Sequence, residues 1–424
     1  MPMSEAFQER LFPALPGIIS HFGTPFHIYD ERGITDTAEQ WKALFKDIKG
    51  FKEFFAVKAL PNPAILRLMK SLGFGLDCSS ISEVLLARQC GFNPEDILLT
   101  SNNTSDELMH LALADGGCIL NLDDISLIDK VPAMPELICF RYNPGERRTG
   151  TAIIGNPVEA KYGLTHDQVI DAYRRAKDRG ARRFGLHTMI ISNERDFRYM
   201  VETVRMLLEV MERVTAETGI RFEFFNIGGG VGIPYRPDDA VFNMPGLAEE
   251  AGRLMHEFEQ RNGYLPNLYM ECGRYPTGPH GVLAATVVNR MSKYREYIGV
   301  DVATMSGNPR PAIYGAYHHI TILSPDGKPR TGNEEAVDVV GPLCENTDKF
   351  AVQRRLPRAE IGDIMVQHDT GAHSRAMGGN YNGWLRPQEL LLRSDGSVEL
   401  IRRGETIDDL FATLQFQNNV YKGK

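Results

Sequence analysis

Eight short apolar runs between residues 54 and 271, separated by stretches that read as helices, restrict the fold of this chain more than any other feature. The runs are 54–58, 74–78, 96–100, 117–121, 136–142, 183–187, 221–226 and 267–271. Short continuous apolar runs suit strands buried on both faces. The stretches 64–72, 81–89, 106–113, 166–178, 197–218 and 247–261 read as helices, and before them Ala38, Trp41, Phe45 and Ile48 recur at steps of three or four, on one helical face. Eight strands alternating with helices predict a (β/α)8 barrel. The competing open, doubly wound sheet usually has fewer strands and often a dinucleotide-type glycine loop after the first. Here the first run ends in Lys58, soon followed by Pro61 and Pro63.

A barrel gathers the C-terminal ends of its strands on the face where chemistry is done. The residues at those ends are Lys58, Asp77 with Ser79, Asn102, Asn121, Arg141, His187, Gly228 to Gly230 and Glu271, all polar or glycine. Beyond residue 280 the period shortens to that of strands, at 282–288, 296–302, 312–323, 335–340, 363–368, 389–393 and 398–402, with turn formers such as SPDGK and RSDGS between some of them. The expected architecture is an α/β barrel over 34–277 followed by a β-barrel or sandwich over 278–424. Residues 22–29, FGTPFHIY, read as a turn and short strand before any helix, so the strand-like segment 1–33 is expected to join the second domain.

A formal charge of −8 without a basic patch argues against nucleic acid as a partner and favours a small molecule. The N-terminus MPMSEAFQERL has neither the basic start nor the apolar core of a signal peptide, and no stretch approaches the roughly eighteen apolar residues of a membrane span, so a cytoplasmic protein is expected. The six cysteines lack C-x-x-C spacing, which points to neither a disulfide framework nor a zinc site. His318 and His319 fall on an expected strand, facing opposite sides, and no metal site is expected.

The strand ends carry the chemistry. A lysine directly after an apolar run either snorkels to solvent or has a chemical use. The stretch 226–232, NIGGGVG, is either a flexible turn or, placed after the seventh strand, a cradle of backbone N–H groups for phosphate. Glu271 and Arg274 are either a surface pair or, at a barrel mouth, an acceptor for a protonated ring nitrogen and a donor for an anion. A lysine, a phosphate cradle and a carboxylate for a pyridinium are together what pyridoxal 5'-phosphate requires.

With these residues the chain resembles the fold-type III pyridoxal-phosphate decarboxylases, and among them the diaminopimelate decarboxylases. The matching stretches are FAVKAL at 55–60, LDCSSISE at 76–83, NIGGGVGIPY at 226–235, ECGR at 271–274, MSGNPRPAIY at 305–314, GPLCENTD at 341–348 and GAHSRAMGGNYN at 371–382. The resemblance implies an alanine racemase-like fold in which Lys58 holds the cofactor covalently, Gly228, Gly229 and Gly230 cradle its phosphate and Glu271 partners its ring nitrogen. Asp77, His187, Gly273, Arg274, His373 and Tyr381 complete the expected cofactor site. It further implies that Arg274, Arg310 and Tyr314 clamp the substrate's far carboxylate. Cys344, as proton donor, and Glu345, as substrate-binding acid, would reach the site from the other subunit of a homodimer.

The chain also departs from the family pattern. Met189 stands where the second histidine of H-x-H-I-G-S is usual, so either its sulfur packs on the cofactor ring or His187 takes that place. His373 replaces the tyrosine of GAY, Cys272 the proline of E-P-G-R, and AKYG at 160–163 the family's S-K-F-G. The resemblance implies a carboxy-lyase that makes L-lysine from meso-diaminopimelate. The alternatives are a decarboxylase of ornithine, lysine or a conjugated natural-product intermediate, and a pyridoxal-phosphate carrier without turnover. The pair Cys344 and Glu345 speaks against the carrier, which needs no proton donor.

Overall fold

After a first strand, β1 (Phe26–Asp30), the alternating region closes into a parallel barrel of β2 (Lys52–Ala56), β3 (Gly75–Cys78), β4 (Ile97–Ser101), β5 (Ile119–Leu122), β6 (Leu137–Arg141), β7 (Arg183–His187), β8 (Phe224–Asn226) and β9 (Asn267–Met270). The computed structural model describes residues 3–149 and 155–417. Each of the eight expected strands is present, and β2 pairs with β9 to close the ring. Phe54, Leu98, Ile119, Leu137, Cys139 and Phe224 form one buried cluster with Tyr269 packed against it. Burying each phenylalanine ring there stabilises the fold by roughly 1.5–3 kcal/mol.

The chain divides into two compact units, Gly33–Pro234 with Asp238–Gly278, and Met1–Arg32 with Tyr235–Pro237 and Pro279–Lys424. The second unit is a branched sheet of β1 with β10 (Gly281–Ser292), β11 (Glu296–Val300), β12 (Ile320–Leu323), β13 (Glu334–Val340), β14 (Lys349–Pro357), β15 (Ile364–Gln367), β16 (Gln388–Leu392) and β17 (Val398–Arg402). It branches at β10, which pairs with β1, β11 and β15. Alternate residues of β10 serve opposite faces: Val282 and Ala284 enter one buried cluster, Leu283, Ala285 and Val287 another.

Four expectations need correction. The segment 1–33 is not strand-like throughout, because helices Glu5–Leu11 and Leu15–Phe22 precede β1. Phe7, Leu11, Leu15 and Ile18 have helical spacing and bury against Phe26, Ile28 and Leu390 of the sheet. The expected strand 312–323 begins as the helical turn Arg310–Tyr314, with Pro311 in its first turn and Gly315 at φ 61° ending it, and only Ile320–Leu323 is strand. His318 and His319 therefore precede the strand and do not alternate on it. Finally, β14 was not expected; its Gln353 takes φ 45° and its register with β13 shifts, which breaks the alternation in the sequence.

Candidate active site

Lys58 lies just past its strand. β2 ends at Ala56, and Val57–Ala59 form one turn of 3-10 helix closed by Leu60 N–H donating to the Val57 carbonyl at 3.1 Å. Asn62 then caps helix Pro63–Ser71, its Oδ1 accepting from Ala64 N at 3.0 Å. Gly273 presses against this turn: a Cβ there would stand 2.5 Å from Ala59 Cβ, so only glycine lets the segment after Glu271 approach Lys58 this closely.

Ala56 pairs with Asp77, and Lys58 Nζ lies 3.7 Å from Asp77 Oδ2. The other oxygen, Asp77 Oδ1, is buried with no protein partner. Burial, and next the charge of Glu271, push the Asp77 carboxyl up to about 8. Burial acts to lower the Lys58 pKa, but Asp77, Glu271 and Glu83 more than offset it and leave the amine above its ordinary value. Glu83 belongs to the start of helix Ile81–Gln89: its Oε2 accepts from Ser79 N at 2.6 Å, and its own N–H donates to Ser80 Oγ at 3.4 Å.

Across the barrel, Arg141, His187 and Asn226 share one layer of the β6, β7 and β8 register. His187 is fully buried, with Nδ1 accepting from Asn121 Nδ2 at 2.8 Å and Nε2 lying 3.1 Å from Glu271 Oε2. Asn226 Nδ2 donates to the same Glu271 oxygen at 3.2 Å. Burial works against ionising Glu271, but His187, and next Lys58, hold its carboxyl below the usual range. Arg141 pairs with Asp123 at 3.3 Å, donates to the Met189 carbonyl at 3.0 Å and stacks on Tyr162 at 3.9 Å.

The loop after β8 is a backbone cradle. Gly228 and Gly230 take φ 75° and 94°, and a Cβ on Gly228, Gly229 or Gly230 would stand 2.4, 2.4 or 2.6 Å from a carbonyl oxygen of Thr188, Glu271 or Ile191. The Gly229 N–H meets only a weak acceptor, Met189 Sδ at 3.2 Å. Met189 is thus the residue beside the cradle, while His187 is taken up between Asn121 and Glu271. Cys272, at the family's proline position, carries an N–H that proline lacks and donates it to Glu53 Oε1 at 2.5 Å. Glu53 is buried, and that burial pushes its carboxyl well above the usual range.

The sequence reading missed Glu53, Glu83 and Asn226 as members of this site. The S-x-x-E pattern at 80–83 is a capping signature that marks Glu83; nothing local marks Glu53, because its partner is a backbone group 219 residues away.

The remaining sequence candidates, Arg274 excepted, lie in the sheet unit. Arg310 is buried beside Tyr235 and His318, whereas Tyr314, at the end of the same turn, is exposed. Cys344 is exposed, with its N–H and thiol donating to Asn382 Oδ1 at 3.2 and 3.1 Å. Its loop is framed by Asp348, which accepts from Leu343 N at 2.8 Å and Thr304 N at 2.7 Å. Tyr381 donates to Glu345 Oε1 at 2.9 Å, and His373 takes a left-handed φ of 56°. Arg274 is buried in the barrel unit.

The family described as "Pyridoxal-dependent decarboxylase, pyridoxal binding domain" matches residues 31–278. The chain belongs to this family, the fold-type III pyridoxal-phosphate decarboxylases, and is diaminopimelate decarboxylase-like: a carboxy-lyase with pyridoxal 5'-phosphate as cofactor. It is 47% identical over 98% of its length to Protein TabA of Pseudomonas amygdali pv. tabaci, covering 97% of that protein. It is 34% identical to the diaminopimelate decarboxylase of Methanothermobacter thermautotrophicus, with 93% and 92% of the two chains covered. A crystal structure of diaminopimelate decarboxylase from M. jannaschii in complex with L-lysine superposes with a TM-score of 0.87 at 28% identity, over 95% of this chain and 94% of that one.

The residues present fit the cofactor. A glycine loop too close to neighbouring carbonyls for any Cβ, with a backbone N–H facing only a thioether, suits a phosphate, and the lysine beside buried carboxylates suits an aldehyde and a ring nitrogen.

Proposed function

We propose that the protein decarboxylates meso-diaminopimelate to L-lysine, as a cytoplasmic homodimer whose sites are shared. In this reading Lys58 bonds the cofactor, Gly228 to Gly230 cradle its phosphate, and Asp77, His187, Gly273, Arg274, His373 and Tyr381 complete the cofactor site. Glu271, gripped by His187 and Asn226, keeps a proton at the ring nitrogen. The bound cofactor supplies the electron sink that accepts the pair released when the α-carboxylate leaves as carbon dioxide. Cys344 Sγ, hydrogen-bonded to Asn382, then delivers a proton to the α-carbon, with Glu345 beside it on the substrate. Arg310, with Arg274 and Tyr314, takes the far carboxylate.

The observation that carries this reading is the buried guanidinium of Arg310, 5% exposed, with the Tyr235 hydroxyl and the His318 ring against its Nη1, a donor fork that suits a carboxylate on the substrate. The 34% identity to a named diaminopimelate decarboxylase supports the same substrate. A second reading, another amino acid on the same chemistry, is favoured by the 47% identity to Protein TabA and by Met189 at the cradle. Release of carbon dioxide across a panel of diaminopimelate, lysine, ornithine and longer diamino diacids separates the two. The first reading expects diaminopimelate to lead and Lys58→Ala to abolish both turnover and the visible cofactor band. Among the described residues no helix is long and apolar enough to cross a membrane.

A further inference from the structure

Arg310 opens the turn Arg310–Tyr314, and its Nη1 donates to the Tyr235 hydroxyl at 2.7 Å and faces Nε2 of His318 at 3.2 Å. The protonation of His318 follows from its other nitrogen. Nδ1 lies 2.9 Å from the backbone carbonyl oxygen of His368. A carbonyl only accepts, so Nδ1 carries the proton and Nε2 presents its lone pair to the guanidinium, which only donates. His318 is fully buried, with its ring edge-on to Tyr235 at 5.0 Å and 71°, so it cannot turn without losing both contacts. Tyr235 in turn lies against the guanidinium, 4.9 Å from Cζ to the ring centroid.

A long arginine side chain loses rotamer freedom when it binds a planar anion, and a fork held in place beforehand avoids that cost at the moment of binding. We propose that His318, as the neutral Nδ1–H tautomer, is the positioning residue that sets the plane of the Arg310 guanidinium for the substrate's far carboxylate, with Tyr235 as the second support. This rests on the reading of Arg310 given above. It assigns a task to His318, which the sequence offers only as half of a histidine pair.

The test is steady-state kinetics of the holoenzyme with meso-diaminopimelate, with pentane-1,5-diamine as a competitor that bears no carboxylate. Losing the acceptor in His318→Leu is expected to raise KM about tenfold while kcat and the diamine inhibition constant stay within twofold. His318→Gln, whose amide oxygen reaches the place of Nε2, restores most of the loss, whereas His318→Asn, which reaches only the place of Nδ1, does not. Arg310→Ala separates the two levels of the argument. If Arg310→Ala raises KM and His318→Leu does not, the assignment of His318 is overturned and that of Arg310 stands. If Arg310→Ala leaves KM unchanged, the Arg310 reading falls and takes this one with it. Should His318→Leu fail to fold, the glutamine and asparagine variants decide, and equal KM values for them overturn the proposal.

Discussion

Replacing Asp77 by asparagine removes one negative charge 3.7 Å from the Lys58 amine and keeps the side chain's size. At that separation the attraction is about 1 kcal/mol in bulk water and about 4 kcal/mol at an effective dielectric constant of 20. The Lys58 side chain is 48% exposed, so solvent screens the pair and a value near the lower end applies, about 1–2 kcal/mol. The sign is fixed by the carboxylates, which together raise the amine pKa above its ordinary value, so deleting one lowers it. Because the Asp77 carboxyl is itself pushed up to about 8, its charge, and with it the effect of the variant, grows as pH rises through that value. The neutral amine is the form that bonds to the aldehyde of pyridoxal phosphate. The rate at which apoprotein gains its visible band, followed by stopped flow from pH 7 to about 10.5, should therefore be about tenfold faster in Asp77→Asn toward the upper end of that range. The two profiles should meet below pH 8. Superimposed profiles throughout, or a shift to higher pH, would refute the argument that Asp77 sets the charge state of Lys58.

Three further outcomes are expected. Burial lowers His27 to about 4 from 6.5, so the unfolded chain takes up a proton before the folded one does; the stability from this site is complete above pH 6.5 and is lost as pH falls toward 4, by about 2–3 kcal/mol, and thermal midpoints of His27→Gln should lack that slope. Gly229→Ala would place a Cβ 2.4 Å from the Glu271 carbonyl oxygen, so cofactor retention on dialysis should fall at least about tenfold while the sheet unit keeps its far-ultraviolet signature. Mixing inactive Lys58→Ala with inactive Cys344→Ala under subunit exchange should restore part of the activity, since one site of each heterodimer then carries neither defect; no recovery would mean that each site is built within one chain.

The order of strands and helices in the barrel is determined by local sequence. Most of the parallel strands are buried on both faces and so read as apolar runs, and polar residues gather at their C-terminal ends, which is why Lys58, Asp77, His187 and Glu271 are legible as a set. Elements whose burial depends on distant partners are not legible in this way. Phe7, Leu11, Leu15 and Ile18 have helical spacing, but what makes those helices worth forming is a sheet face that includes Val282, Val366 and Leu390. β14 exists through pairing with β13, since its own Gln353, Arg354 and Arg355 interrupt any apolar pattern. Only the tertiary structure decides which polar groups answer one another: Glu53 with the Cys272 N–H, His187 with Glu271, and Tyr235 with Arg310 across 75 residues. Hydrophobic periodicity is read along the chain, whereas a buried hydrogen bond depends on direction and distance in space, and these are set only when the strands have closed.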